Sequence, residues 1–216
     1  GFTQIYGLTE ASGVAAGLSA ADHRGPALWR SAGRPAAEAE LQIVAPQSGT
    51  PLAEGEVGEI WVRSVRTMRA YWNDPEATAQ ACTASGWLRT GDCGHMRDGY
   101  LYITDRLKDQ IVSGGENVYP AEVERVLVQH PAVADCAVIG VPDAKWGETV
   151  KACVVLRPGA EAAAAELISF CREHLAHYKC PRSVDFHDAL PRNASGKVLK
   201  RELRAPYWEG LARSVS

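Results

Sequence analysis

The chain has 216 residues, 46% of them hydrophobic and 23% charged, a balance that excludes disordered and collagen-like chains. Its 23 lysines and arginines stand against 26 aspartates and glutamates, a net charge of −3, so no basic excess marks a nucleic-acid surface. The six cysteines are scattered without a CxxC pair, no apolar run approaches a membrane span, and no signal-peptide pattern opens the sequence, so reduced thiols in a cytoplasmic protein are expected.

The length suits two small domains. Gly1 stands within ten residues of a dense motif, as in a segment of a longer protein. Ala11–Ala16 suggests a helix that Thr9-Glu10 caps. From Gly33 to Ile103 short β-type runs alternate with turn chemistry: Glu40–Val44, the loop Pro46–Pro51, Gly58–Arg63, then Tyr100–Thr104 after Asp98-Gly99. Asn73–Ala81 interrupts them as a helix, with Asp74-Pro75 at its start and Glu76 in its first turn.

After Asp105–Gln110 the rhythm changes. Ile111–Val112 runs into a Ser113-Gly114-Gly115 turn, and Pro120 opens a helix with Val123, Val126 and Leu127 on one face. Glu122 and Glu124 suit the positive end of that helix. Ala134–Val141 and Val150–Leu156 read as strands, Ala162–Leu175 as an amphipathic helix and Ser183–His187 as a last strand. The expected organisation is a β-rich part over 1–104, a hinge over 105–110 and an α+β domain over 111–216.

Four motifs carry chemistry. In Tyr6-Gly7-Leu8-Thr9-Glu10 a hydroxyl and a carboxylate lie side by side, suited to a phosphate oxygen and to Mg²⁺, which prefers oxygen ligands. In Trp87-Leu88-Arg89-Thr90-Gly91-Asp92 a carboxylate on a tight turn suits a ribose diol. Alternating charges from Asp105 to Gln110 precede the Gly114-Gly115 turn, as a hinge requires. In Leu190-Pro191-Arg192-Asn193-Ala194-Ser195-Gly196-Lys197 a polar loop presents one lysine, a point charge for phosphate and carboxylate oxygens. It lacks the first glycine of a Walker A loop. The plainer alternatives are a helix cap at Thr9-Glu10, a turn aspartate at Asp92, a hairpin with solvated charges after Asp105, and a solvated basic cluster of Lys200, Arg201 and Arg204.

Taken in this order, the motifs resemble the C-terminal portion of an acyl-CoA synthetase of the adenylate-forming, AMP-binding superfamily. The resemblance runs from Tyr6 to about Leu203 and is most specific over Asp105–Glu124. It implies the tail of a large adenylation domain, including a small β-rich subdomain, followed by a small mobile α+β domain. It also implies a two-step reaction with ATP, Mg²⁺ and CoA in which a carboxylic acid, fatty or otherwise hydrophobic, becomes an acyl-AMP and then a thioester.

By that resemblance Tyr6 lies against adenine, Thr9 bonds the α-phosphate and Glu10 supports Mg²⁺. Asp92 and Arg106 hold the ribose, Lys108 is the hinge, Lys197 bridges carboxylate and α-phosphate, and Gly114-Gly115 lines the pantetheine path. Tyr178, Lys179 and Arg182 are the candidates for the CoA nucleotide, with Cys180 where some relatives carry a basic residue. Trp146-Gly147-Glu148 reads as structural packing. The family's Ser/Thr/Gly-rich phosphate loop lies upstream of Tyr6, so the chain alone is expected to be inactive. The alternatives are an enzyme that acylates a carrier protein and a non-catalytic nucleotide- or partner-binding module.

Overall fold

A computed structural model describes residues 1–211. The chain divides into two compact units, with the boundary between Leu107 and Lys108.

In the first unit β1 (Gln4–Leu8) and β2 (Gly13–Leu18) form an antiparallel pair joined by a 3-10 turn, Thr9–Ala11, and β3 (Arg34–Pro35) extends β2. The Ala11–Ala16 stretch is therefore turn and strand, not the expected helix. Ser12 (φ 52) and Gly13 (φ 113) reverse the chain before a helical turn can propagate. Ala15, Ala16 and Leu18 are fully buried, and burial on a sheet outweighs the modest helix preference of alanine.

A four-stranded antiparallel meander follows: β4 (Ala39–Val44), β5 (Gly58–Ser64), β6 (Leu88–Arg97) and β7 (Tyr100–Arg106). β7 runs past Thr104 to Arg106, which pairs with Asp92 of β6. Ile43, Ile60, Val62, Leu88 and Leu101 make its core with Ala15 and Ala16. Between β5 and β6 lies α1 (Pro75–Ala81), capped by the Asp74 carboxylate, which accepts from Ala77 N at 2.9 Å.

The second unit opens with a hairpin of β8 (Ile111–Ser113) and β9 (Glu116–Val118), then α2 (Pro120–Leu127), β10 (Val133–Asp143) and β11 (Gly147–Leu156). It continues with α3 (Ala164–His174), β12 (Ser183–Phe186) and α4 (Lys200–Arg204). The sheet runs β10-β11-β8-β9, and β12 joins β11 in parallel. Alternation at period two covers both faces of β10 and β11. Cys136, Val138, Val150, Ala152 and Val154 share one core with Val123, Leu127, Leu167 and Cys171 of α2 and α3. Ala137, Ile139, Val141 and Cys153 share the other with Leu190 and Leu203. Among the described residues no helix is long and apolar enough to cross a membrane.

Candidate functional site

In the first unit, β1 turns Gln4, Tyr6 and Leu8 inward and leaves Ile5 and Gly7 exposed. The Tyr6 hydroxyl donates to Asp92 Oδ2 at 2.8 Å, and Arg106 Nε donates to Asp92 Oδ1 at 2.7 Å. Three residues from three strands and distant parts of the sequence therefore meet on one carboxylate. Asp92 sits not on a tight turn but within β6, where Thr90, Gly91 and Asp92 bulge opposite Ile60 of β5. Gly91 (φ 69) permits the bulge, Thr90 Oγ1 donates to Ile60 O, and the buried Glu59 carboxylate accepts from Gly91 N and Trp61 Nε1.

Each Asp92 oxygen spends one lone pair on a neighbour, and a carboxylate offers about four acceptor positions, so capacity remains for a diol. Burial first, and then the negative charge of Asp92, push the Tyr6 phenol well above its usual pKa, which keeps it a neutral donor.

Thr9 and Glu10 follow on the 3-10 turn, closed by Ser12 N donating to Thr9 O at 2.9 Å. Thr9 is exposed at a groove that it shares with Ile5, Gly7, Leu8, Ser12 and Gly13. Gly7 has no alternative, since a Cβ there would lie 1.6 Å from Gly13 O. Two contacts fix Glu10: Tyr71 Oη donates to its Oε1 at 3.0 Å and Met68 N to its carbonyl at 2.7 Å. Among the described residues no three His, Cys, Asp or Glu side chains gather as a metal cage. A single carboxylate next in sequence to Thr9 fits Mg²⁺, which binds through one or two carboxylates plus substrate phosphates and water.

In the second unit, Lys108 lies in a 3-10 turn, Leu107–Asp109. Arg204 of α4 fastens this turn, pairing with Asp109 at 2.9 Å and reaching Lys108 O. Lys200 pairs with Glu124 at 2.7 Å. Lys200 and Arg204 are thus largely buried in ion pairs, which corrects the solvated-cluster reading, while Arg201 is exposed.

Gly114 (φ 62) and Gly115 (φ 88) make the β8–β9 turn. A Cβ on Gly114 would meet the Trp146 ring at 2.5 Å, whereas Gly115 has open space. Gly114 N also donates to Trp146 O, and the buried Glu148 carboxylate accepts from Val112 N, so Trp146 and Glu148 buttress the hairpin.

Lys179 places its ammonium 2.8 Å from both Glu122 oxygens, so its charge is already met. Tyr178 is exposed, and Arg182 lies over the Trp146 ring at 5.4 Å. Arg182 also lines a cavity of about 260 Å³ with Arg172, His177, Ile168, Cys180 and Pro181. Arg172 and His177 were not legible as neighbours of Arg182 in the sequence, since an arginine on an amphipathic helix and a histidine in a loop carry no spacing signal that sets them apart.

Lys197 is exposed just after the Asn193–Gly196 turn (Gly196 φ 81), flanked by a bridge between Arg192 and Val198.

Residues 1–72 match the family model described as AMP-binding enzyme, and residues 122–197 match the AMP-binding enzyme C-terminal domain. A fatty acid–[acyl-carrier-protein] ligase of Streptomyces coeruleorubidus is 44% identical over 217 residues, covering 100% of this chain and 41% of the relative. A feruloyl-CoA synthase of an Amycolatopsis species is 47% identical, covering 95% and 41%. Among solved structures, the o-succinylbenzoate CoA synthetase of Bacillus subtilis in complex with its acyl-adenylate intermediate superposes with a TM-score of 0.84 at 42% identity, covering 93% of this chain and 40% of that one. The same enzyme has been solved with ATP and a magnesium ion. The chain thus spans about two fifths of the length of the relatives it matches. With both family models in sequence order and an α+β fold shared with these structures, the chain belongs to the adenylate-forming, AMP-binding enzymes.

Proposed function

We propose that this chain is the C-terminal part of an ATP-dependent, AMP-forming carboxylate–CoA ligase acting on a fatty or other hydrophobic acid. The observation that carries it is the meeting of Tyr6, Asp92 and Arg106, a neutral phenol, a carboxylate with spare acceptor capacity and a half-exposed guanidinium, next to the Thr9-Glu10 turn. Asp92 and Arg106 hold the ribose hydroxyls, Tyr6 faces adenine, Thr9 donates to the α-phosphate and Glu10 supports Mg²⁺.

Lys197 of the second unit supplies a mobile positive charge where negative charge develops on the phosphate oxygens during in-line attack. Loss of one such preorganised contact costs about 10²–10³ in rate. The thioester step uses the Gly114-Gly115 hairpin instead, and exchange between the two arrangements takes place at Lys108. Arg172, His177 and Arg182 face the CoA phosphates from one cavity; they replace Lys179, which is occupied by Glu122.

A second reading, transfer to a carrier-protein pantetheine, is favoured by the 44% identity to a fatty acid–[acyl-carrier-protein] ligase across the whole chain. The test uses the complete protein containing this chain with ATP, Mg²⁺, CoA and a panel of fatty and aryl acids, beside its Lys197→Ala variant. Thioester from the parent, with pyrophosphate release lost in the variant, is expected. Acyl-AMP without thioester points to a carrier-protein acceptor. No turnover with any acid overturns the enzymatic reading in favour of a binding module.

A further inference from the structure

Two neighbours fix the backbone around Lys197, and neither touches its ammonium. Asn193 Oδ1 accepts from Ser195 N at 3.1 Å, Ser195 Oγ at 2.8 Å and Lys197 N at 2.9 Å, while Asn193 N donates to Lys197 O at 3.0 Å. One side chain thus closes the turn, and the main chain of Lys197 is held on both its donor and its acceptor. Arg192 then moors the closed turn to the sheet. Its Nη1 donates to Gly196 O at 2.5 Å and its Nη2 to Asp135 Oδ2 at 2.5 Å, a charge-assisted pair with the carboxylate of β10. Asp135 is 57 residues away in sequence, on a strand that carries none of the four motifs.

From this geometry we infer that Asp135 is a positioning residue for Lys197, acting through Arg192. An exposed ion pair of this kind is worth little in stability. Both partners are about 40% exposed, so folding gives little reason for the contact. Its consequence is geometric. Arg192 has two donors fixed by one planar group, one on the lysine turn and one on β10, so the turn cannot shift along the sheet without breaking one of them. A lysine that acts by charge placement is sensitive to such shifts, and a displacement of about 1 Å at a reacting centre costs up to about a hundredfold.

The inference rests on the proposed role of Lys197 in adenylation. In the complete enzyme, Asp135→Asn, Asp135→Ala and Arg192→Ala are compared by pyrophosphate exchange, which reads adenylation, and by thioester formation from a pre-made acyl-adenylate, which bypasses it. The expected result is a fall in adenylation kcat of about ten- to a hundredfold with little change in KM for ATP, unchanged thioester formation and an unchanged melting temperature. Asp135→Glu recovers much of the loss, and Asp135→Ala combined with Arg192→Ala is no worse than Arg192→Ala alone. Unchanged adenylation in the Asp135 variants, or equal losses in both half-reactions, overturns the inference. Lys197→Ala is run beside them: if it spares adenylation, the functional reading itself fails and the inference with it. If it blocks adenylation while the Asp135 variants do not, the inference alone fails.

Discussion

The Tyr6 hydroxyl donates to the Asp92 carboxylate at 2.8 Å across 86 residues of sequence. Asp92 is buried, whereas Arg106, its other partner, is half exposed, so the phenol is the better desolvated of its two donors. A hydrogen bond to a charged group contributes about 1.5–3 kcal/mol. Tyr6→Phe is expected to weaken AMP binding by about tenfold or more, because the freed carboxylate relaxes away from the ribose. Asp92→Ala is expected to lose binding below detection. Isothermal titration of the complete protein with AMP measures both, and Tyr6→Phe with parental affinity removes the phenol from the site.

The fold was legible in the sequence wherever period and punctuation agreed. Val-rich β10 and β11, the Pro120 helix and the Gly114-Gly115 turn stand close to where alternation, an N1 proline and a glycine pair put them. Ala11–Ala16 misled, because alanine is also what fits a sheet packed closely on its neighbours, and the reversal at Ser12-Gly13 is a backbone property that Ser-Gly states weakly. Asp92 was legible as a candidate but its bulge was not, since that depends on Ile60 of another strand. Long-range pairings such as Lys179 with Glu122, or Arg204 with Asp109, leave no periodic trace, so Lys179 read as a free cation for the CoA nucleotide and Arg204 as solvated.

Burial sets the thiol chemistry. It pushes Cys93, Cys136 and Cys171 up to about 12 and Cys153 to about 11, with neighbouring carboxylates adding to the effect at Cys93, Cys136 and Cys153. A thiol raised in the folded state stabilises fully below its unfolded pKa near 9. Above that value the unfolded chain loses protons that the folded chain keeps, so stability falls from about pH 9 towards pH 12 by up to about 1.4 kcal/mol per unit and per thiol. Melting temperature should be flat from pH 7 to 8.5 and fall above pH 9. Cys136→Ala, compared with its own value at pH 7, should fall less steeply. A thiol reagent at pH 8 should react with half-buried Cys82 well before the five buried cysteines.

Gly114 and Gly115 both need positive φ, but only Gly114 lacks room for a side chain. Gly115→Ala should cost about 1 kcal/mol, the left-handed penalty. Gly114→Ala adds a clash with Trp146 and should cost about 2–4 kcal/mol and displace the hairpin. Trp146→Ala should relieve the clash, so the double variant should be more stable than the sum of the single losses predicts. Thermal unfolding of the four proteins measures this; strict additivity removes Trp146 as the cause.

Glu124 separates two readings of α2. Its carboxylate, like that of Glu122, suits the positive end of the helix, an effect worth about 0.3–1 kcal/mol. Yet Glu124 Oε1 accepts from Val138 N at 2.7 Å and pairs with Lys200 at 2.7 Å, joining α2, β10 and α4 through one oxygen. Both side chains are more than three-quarters buried, so removing one partner leaves the other desolvated without compensation. Glu124→Ala, which orphans the Val138 amide and the Lys200 ammonium together, should cost about 3–5 kcal/mol. Glu124→Gln keeps an acceptor for Val138 and should cost about 1–2 kcal/mol, through the lost charge alone. Hydrogen exchange at the Val138 amide reports the contact directly: protection should collapse in Glu124→Ala and largely survive in Glu124→Gln. If both variants lose less than about 1 kcal/mol and Val138 stays protected, the helix dipole is the whole role of Glu124 and the three-element junction carries no energy of its own.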